Sequence, residues 1–409
     1  MKCKKLMNVK FNLAAPCLVL APHLKYPINN GANILIDRRW AHFSKFVPYV
    51  DIVGEKTIRR YKESELITSN IYTNAYRSKY RAAANTVLNR SHYLLERFIT
   101  PQFIRVTEEY LGNPEYKTII FSLTCTASIF EKLQIKSKDQ RDRLLLVETQ
   151  NDEIVWYENI FHASQNPIAK LTASISKRWV EKFFSMYEND FIFIHLTDQD
   201  RDGYLTHFPD HAYVVAPAGV SVPKFHAQSF GKLSKIILLF VGALDVKMNH
   251  DALVFFREDF YTILQKNLGY NFEVVVAGSR PSKRMLQLCE NMGWNLHADV
   301  TDEGISDLYQ EAAFSLLPFP YTTGAKLKLL NSLAHGVPFL ATTNLLHQVD
   351  EPLPVCLFSD DPVDWLAHIK RTLEVGISTD ERRALVAYAS KYSWGVIAKQ
   401  IFETLQGLK

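Results

Sequence analysis

Short, continuous apolar runs alternate along this chain with longer stretches whose apolar residues recur every three or four positions. The runs at 17–21, 49–53, 118–123, 144–148, 191–195 and 212–216 read as buried strands. Helical patterns, such as 32–46 and 152–188, lie between many of them. Strands that are apolar on both faces and alternate with helices predict a parallel sheet covered on both sides. The pattern pauses at "PAGVSVPKFHAQSFGKLSK" (217–235), whose prolines, glycines and small polar residues suit a linker. A second series then begins, with strands expected at 236–241, 272–277, 314–318, 338–342 and 354–358. The expected architecture is α/β, with two Rossmann-like domains facing a central cleft. The first covers 1–217, the linker 218–235 and the second 236–409, with its terminal helices returning to the first.

The 409-residue length suits two domains, and the composition, 47% hydrophobic and 22% charged, is that of a globular protein. Cys3, Cys17, Cys125, Cys289 and Cys356 form no CxxC pair, which argues against a zinc site or a disulfide framework and fits a reducing cytosol. No window of about twenty residues is continuously apolar, so no spanning helix is expected. The apolar part of the N-terminal stretch reads as a first core strand rather than a leader. The net charge of +4 is too mild to imply nucleic acid.

The segment 56–107 departs from the series. Between Lys56 and Arg97, nine basic residues face three acidic ones, with five tyrosines interleaved. This reads either as a solvated helical excursion or as a surface for an anionic acceptor or membrane. No nucleic-acid fold signature accompanies it.

Candidate chemistry gathers in the second series. In "YTTGAKLKLLNSLAHGVPFLATT" (321–343), a helix is expected from Ala325, ending at Gly336 ahead of Pro338. Thr322, Thr323 and Gly324 then lie at a helix N-terminus, where free N–H groups and the dipole favour phosphate. Lys326 and Lys328 add cations there, which is unfavourable for a bare helix and sensible beside an anion. Upstream, Gly242 follows a strand and lets backbone approach a ligand, and Lys247 opens the next helix. Three lysines from two adjacent loops would converge on one diphosphate. Gly278, Ser279 and Arg280 follow the next strand and would either line a base pocket or form a plain turn. Asp198, and the pair Asp302 and Glu303, read as helix-capping residues.

These segments resemble the donor domain of the GT-B glycosyltransferases, in the large retaining family that includes sucrose and mannosyl transferases (family four). "FVGALDVKMNHDAL" resembles the family's strand–Gly-x-Leu-x-x-Arg/Lys-x-Asn turn. "GAKLKLLNSLAHGVP" resembles its Lys-bearing helix ending in Ala-x-Gly-x-Pro. The resemblance is clear over 236–342 and continues less sharply upstream. There "LLLVETQNDEIVWY" places Gln150 where histidine often stands, and "APHLKYPINNGANI", with Asn30 and Gly31, matches the first loop facing the donor. The resemblance implies a nucleoside diphosphate sugar as co-substrate, with Lys247 and Lys326 stabilising the departing diphosphate. Gly242, Gly278, Ser279, Thr322, Thr323, Gly324, Ala325, Lys328 and Asn331 would bind the donor; Asn30, Gly31 and Gln150 would lie on the acceptor side. It implies a glycan or lipid-linked acceptor, no metal and no other cofactor. The expected location is the cytoplasm, at the inner face of a membrane if an anionic surface is used. Two positions that are often glutamate are Thr323 and Asn331 here, so a neutral hydrogen bond would hold the ribose. The alternatives are a non-catalytic homologue acting as a binding partner and a sugar-nucleotide epimerase on the same scaffold.

Overall fold

The computed structural model describes residues 13–28, 30–132, 143–187, 190–224, 235–321 and 327–407. Two compact units emerge. The first comprises Met1–Pro217 with Trp394–Lys409, and the second Ala218–Ser393. Within the expected linker, 225–234 lie outside the described residues.

The first unit holds an eight-stranded sheet. Its strands are β1 (Cys17–Leu20), β2 (Val50–Val53), β3 (Thr57–Lys62), β4 (Glu65–Ile71), β5 (Thr118–Ser122), β6 (Leu144–Glu148), β7 (Ile192–His195) and β8 (Ala212–Val215). They lie in the order β4-β3-β2-β1-β5-β6-β7-β8. The strands from β2 to β8 are parallel, and β3 and β4 join antiparallel. β1, β2, β5 and β6 are buried at every position, as their largely apolar runs require.

The β3–β4 hairpin corrects the helical reading of 56–97. Its two-residue turn, Glu63-Ser64, takes φ of +51° and +70°, the conformation that suits a tight hairpin. Neither residue is the Asn or Gly that announces such a turn, so the hairpin gave no signal. Helix begins only at Lys79 and runs to Asn89. The helical stretch 152–188 is two helices, Glu153–Ala163 and Pro167–Met186, divided where Asn166 caps the second ahead of Pro167.

A buried ion pair braces this unit. Arg39 on helix Gly31–Phe43 meets Glu148 at 2.6 Å with both side chains fully enclosed. Trp40 donates to the same carboxylate at 3.2 Å, and Arg39 also donates to the Ala216 and Pro217 carbonyls at 2.8 and 3.0 Å. These hydrogen bonds offset the desolvation that an isolated pair would suffer. The terminal helix Trp394–Gly407 packs on Gly31–Phe43, where Phe402 stacks on Phe46 at 5.4 Å.

The second unit holds β9 (Ile236–Val241), β10 (Phe272–Gly278), β11 (Asn295–Ala298), β12 (Phe314–Leu317), β13 (Phe339–Ala341) and β14 (Leu357–Phe358). All are parallel, in the order β11-β10-β9-β12-β13-β14. β11 was not legible in the pattern, because "NLHA" is a short, largely exposed edge strand. The order runs outward from β9 on one side and from β12 on the other, so the chain reverses direction between these two strands. Open α/β sheets bind ligands beyond the carboxyl ends of the strands flanking such a switch.

Candidate active site at the switch point of the second unit

Two loops meet beyond the ends of β9 and β12. The β9 loop opens with Gly242, whose N–H donates to Ala277 at 3.0 Å. It continues through Leu244, which donates to the Ser279 carbonyl at 2.8 Å. Gly278, at φ +153°, packs so closely that a Cβ would fall 1.7 Å from the Gly242 carbonyl oxygen. Only glycine fits there. The ends of β9 and β10 are thus clasped backbone to backbone, which places Gly242, Gly278 and Ser279 in one tight cluster.

Lys328 reaches this cluster from helix Leu327–Ala334. Its Nζ donates to Asn249 Oδ1 at 2.9 Å and lies 5.3 Å from the Phe319 ring centre. A Cβ on Gly242 would meet the Lys328 Cε at 2.8 Å, so the glycine makes room for the lysine's path. Asn249 is buried, and its Nδ2 donates to the Ala243 carbonyl at 2.7 Å, which fixes the oxygen toward the lysine. Asn249 was not legible as a site residue in the sequence, although it is the asparagine of the Lys-x-Asn pattern.

Lys247 is the first residue of helix Lys247–Phe255, the same helix that carries Asn249. Its ammonium is exposed and pairs with Asp251 at 2.5 Å, and the Tyr321 hydroxyl donates to the same carboxylate oxygen. Burial pushes the Asp251 carboxyl up, but hydrogen bonds from Lys247 and Tyr321, with the Lys247 charge, hold it below the ordinary range. The hydrogen bond to Asp251 in turn raises the Lys247 ammonium. Lys247 and Lys328 therefore flank one helix, tied at Asp251 and Asn249. Lys326, with Thr322, Thr323, Gly324 and Ala325, lies outside the described residues.

Around the rim, Arg280 adopts φ +51° and pairs with Asp245 through Nε at 2.8 Å and a terminal nitrogen at 3.1 Å. That bidentate bond holds the Asp245 carboxyl below its ordinary range. Asn331 is half-buried on the lysine helix, and no hydrogen bond is made to its side-chain amide among the described residues. Gly336 ends the helix at φ +67°, its N–H donating to Leu333 at 2.9 Å. Thr301 caps helix Asp302–Glu311, so Asp302 and Glu303 are first-turn residues rather than the cap. In the same way Thr197, not Asp198, caps Asp198–His207.

The three acceptor-side candidates sit in the first unit. Asn30 caps helix Gly31–Phe43, its side chain accepting from Asn33 at 2.9 Å, and Gly31 is the exposed first helical residue. Gln150 follows β6 and meets His23, which follows β1, at 3.4 Å. Burial pushes the His23 imidazole down to about 4, with the nearby Glu153 charge opposing it.

Residues 235–374, which contain the lysine site, match the family model of glycosyl transferases group 1. No curated protein sequence matches the chain. Solved structures do. The chain resembles the sucrose-phosphate synthase of Thermosynechococcus elongatus with a TM-score of 0.63 and 16% identity, over 96% of this chain and 99% of that one. It resembles the catalytic domain of starch synthase IV from Arabidopsis thaliana, bound to ADP and acarbose, with a TM-score of 0.60 and 13% identity over 97% and 99%. It also resembles Anabaena HepE, in complex with UDP and glucose, with a TM-score of 0.56 and 11% identity over 96% and 100%. These similarities identify the fold as GT-B.

Proposed function

We propose that the protein is a glycosyltransferase that moves a sugar from a nucleoside diphosphate sugar to a hydroxyl of a glycan, lipid-linked or other acceptor. The observation that carries this reading is the Lys328 ammonium, held by Asn249 over Gly242 at the switch point of the second sheet. The segment that matches the group 1 family model surrounds it. Solved relatives of the same fold hold UDP or ADP, which supports a diphosphate as the anion.

In this reading the bond between the sugar's anomeric carbon and the β-phosphate oxygen breaks, and the electron pair leaves with the diphosphate. The acceptor oxygen bonds the anomeric carbon, and its proton passes to the diphosphate. Lys328 stabilises the charge that develops, and Lys326 with residues 322–325 is assigned the same role on the sequence alone. Such preorganised electrostatics is usually the largest catalytic term. Lys247, on the helix that carries Asn249, would join by exchanging Asp251 for phosphate. Asn331 offers a neutral amide to the ribose. We assign retention of configuration and independence from metal on the resemblance of 236–342 to the family-four enzymes. The cysteines, with no disulfide among the described residues, favour the cytoplasm as the site of action.

The test is to incubate the protein with a panel of nucleoside diphosphate sugars and measure nucleoside diphosphate release and sugar transfer separately, with and without chelator. Release and transfer from one donor, unaffected by chelator, with the product anomer matching the donor, is the expected result. Release without transfer to any acceptor class would leave a hydrolase. No turnover with any donor would favour the non-catalytic alternative.

A further inference from the structure

We propose that helix Lys79–Asn89, together with the adjoining helices Glu153–Ala163 and Pro167–Met186, forms a docking face for an anionic lipid bilayer. Docking does not depend on sugar transfer: an inactive protein would still bind, and an active one recovered free of lipid would show the face to be wrongly assigned.

The helix is amphipathic in the opposite sense to a core helix. Its buried positions are the small residues Ala82 and Thr86. Its large apolar side chains point outward: Tyr80 is 89% exposed and Leu88 79%, with Val87 beside them. Positions 80, 87 and 88 share one helical face, so these residues form a single outward stripe. Burial within this fold explains none of them.

Charge selects the occupant. Lys79, Arg81 and Arg90 are all exposed on this element, and no acidic residue occurs from 78 to 91. Glu96, the nearest acid in sequence, is buried and accepts hydrogen bonds from Asn85, Asn89 and Ser91, and it pairs with Arg77. The other arginines of the basic segment are used by the fold. Arg60 binds Asp51 through two 2.8 Å bonds, and Arg77 and Arg97 donate to backbone carbonyls. Lys56 and Lys62 are exposed at the hairpin, and the cations that stand beside an apolar stripe are Lys79, Arg81 and Arg90.

The neighbouring helices extend the surface. Pro167–Met186 packs against both Lys79–Asn89 and Glu153–Ala163. Trp156, Phe161, Ile168 and Leu171 are exposed on these two helices. The Lys170 ammonium lies 5.8 Å from the centre of the Phe161 ring. Aromatic and aliphatic side chains flanked by cations suit the boundary between headgroups and acyl chains. No described helix is long and apolar enough to cross a bilayer, so the contact is with its surface. A second copy of the chain fits less well, because a two-fold contact sets the patch against itself and brings the cations together.

Sedimentation with vesicles of phosphatidylcholine alone, or of phosphatidylcholine mixed with phosphatidylglycerol, tests the proposal. The protein should pellet with the acidic vesicles only, and added salt should release it. Lys79→Ser/Arg81→Ser/Arg90→Gly should lower the partition about a hundredfold, from roughly fivefold per basic residue. The glycine suits position 90, whose φ is +49°. Tyr80→Ser/Leu88→Ser should weaken binding while leaving its salt dependence. Both variants change exposed positions, and circular dichroism would confirm their folding. Equal recovery with the two kinds of vesicle, or variants that bind as the parent does, would overturn the proposal. So would a dimer in sedimentation velocity that the Tyr80/Leu88 variant abolishes, which would assign the face to a second copy.

Discussion

The carboxyl ends of the two sheets use charge in opposite ways. In the first unit the charges are enclosed. Glu148 is saturated by Arg39 and Trp40, and Glu153 is buried with Thr124 donating to it and His92 3.5 Å away. In the second unit, glycine backbone is clasped at the end of the sheet, and Lys328 and Lys247, from two helices, lie beside it and bond Asn249 and Asp251. The first edge holds itself together with its polar groups, and the second keeps cations beside bare backbone. The difference shows that the number of ionisable residues at a sheet edge does not mark a site. What sets the second edge apart is the close approach of glycine backbone to a half-exposed lysine.

The largest expected effect comes from opening the enclosed edge. Glu148→Ala leaves Arg39 buried without its carboxylate and should cost roughly 3–5 kcal/mol of stability, measured by denaturant unfolding. Lys328→Ala, at the other edge, should change stability by less than about 1 kcal/mol, as half-exposed substitutions usually do. A comparable loss at both positions would erase the contrast.

Gly242→Ala sharpens it from the other side. The added methyl would displace the end of the Lys328 side chain, which can move, rather than backbone. Turnover should fall by about tenfold to a hundredfold while the melting temperature holds. A large stability loss with unchanged turnover would make Gly242 purely structural.

Acid should weigh most heavily on the first unit, although burial also lowers His335 and His368 in the second. Burial pushes the imidazoles of His195 and His211 down to about 3 and about 4, from 6.5. Both are in the first unit, packed against Phe193. Between pH 6.5 and 4 the unfolded chain therefore binds protons that the folded chain refuses. Stability is complete above 6.5 and falls as pH drops, by about 1.4 kcal/mol per pH unit for each withheld proton. Unfolding followed from pH 7.5 to 4.5 should show this slope, and His211→Phe should reduce it. A flat profile would contradict the buried, neutral assignment.

Much of this was legible in the sequence. The mostly apolar runs carried the parallel strands, because burial on both faces leaves room for polar residues only where they find partners, as Glu148 does in Arg39 and Trp40. The glycine, lysine and proline punctuation located the lysine helix and its end at Gly336. The β3–β4 hairpin escaped because its Glu63-Ser64 turn takes left-handed backbone without the usual residues. β11 escaped because an edge strand needs no apolar run. The role of Asn249 was hidden for a different reason: it acts through Lys328, and only the fold shows that 79 positions of separation along the chain close to 2.9 Å. The tyrosines and arginines of 56–97 could not be sorted in the sequence, because composition does not show which side chains the fold uses, as it uses Arg60, Arg77 and Tyr61.

A smaller effect is expected at Asn331. A neutral hydrogen bond contributes about 1 kcal/mol and one to a charged group up to about 3. Asn331→Glu should therefore tighten a nucleoside diphosphate several-fold, and Asn331→Ala should weaken it modestly, by calorimetric titration. Loss of binding in Asn331→Glu would show that the ribose is not held there.

The central claim is that the switch point of the second unit binds a diphosphate through Lys328. The most direct measurement is the thermal shift of the parent and of Lys328→Met with UDP, ADP and GDP, because a ligand that binds the folded state raises apparent stability by mass action. The account predicts that at least one of the three stabilises the parent and that Lys328→Met, folded and melting near the parent's temperature, loses most of that shift. It would be contradicted if none of the three stabilised the parent, or if Lys328→Met were stabilised as much as the parent.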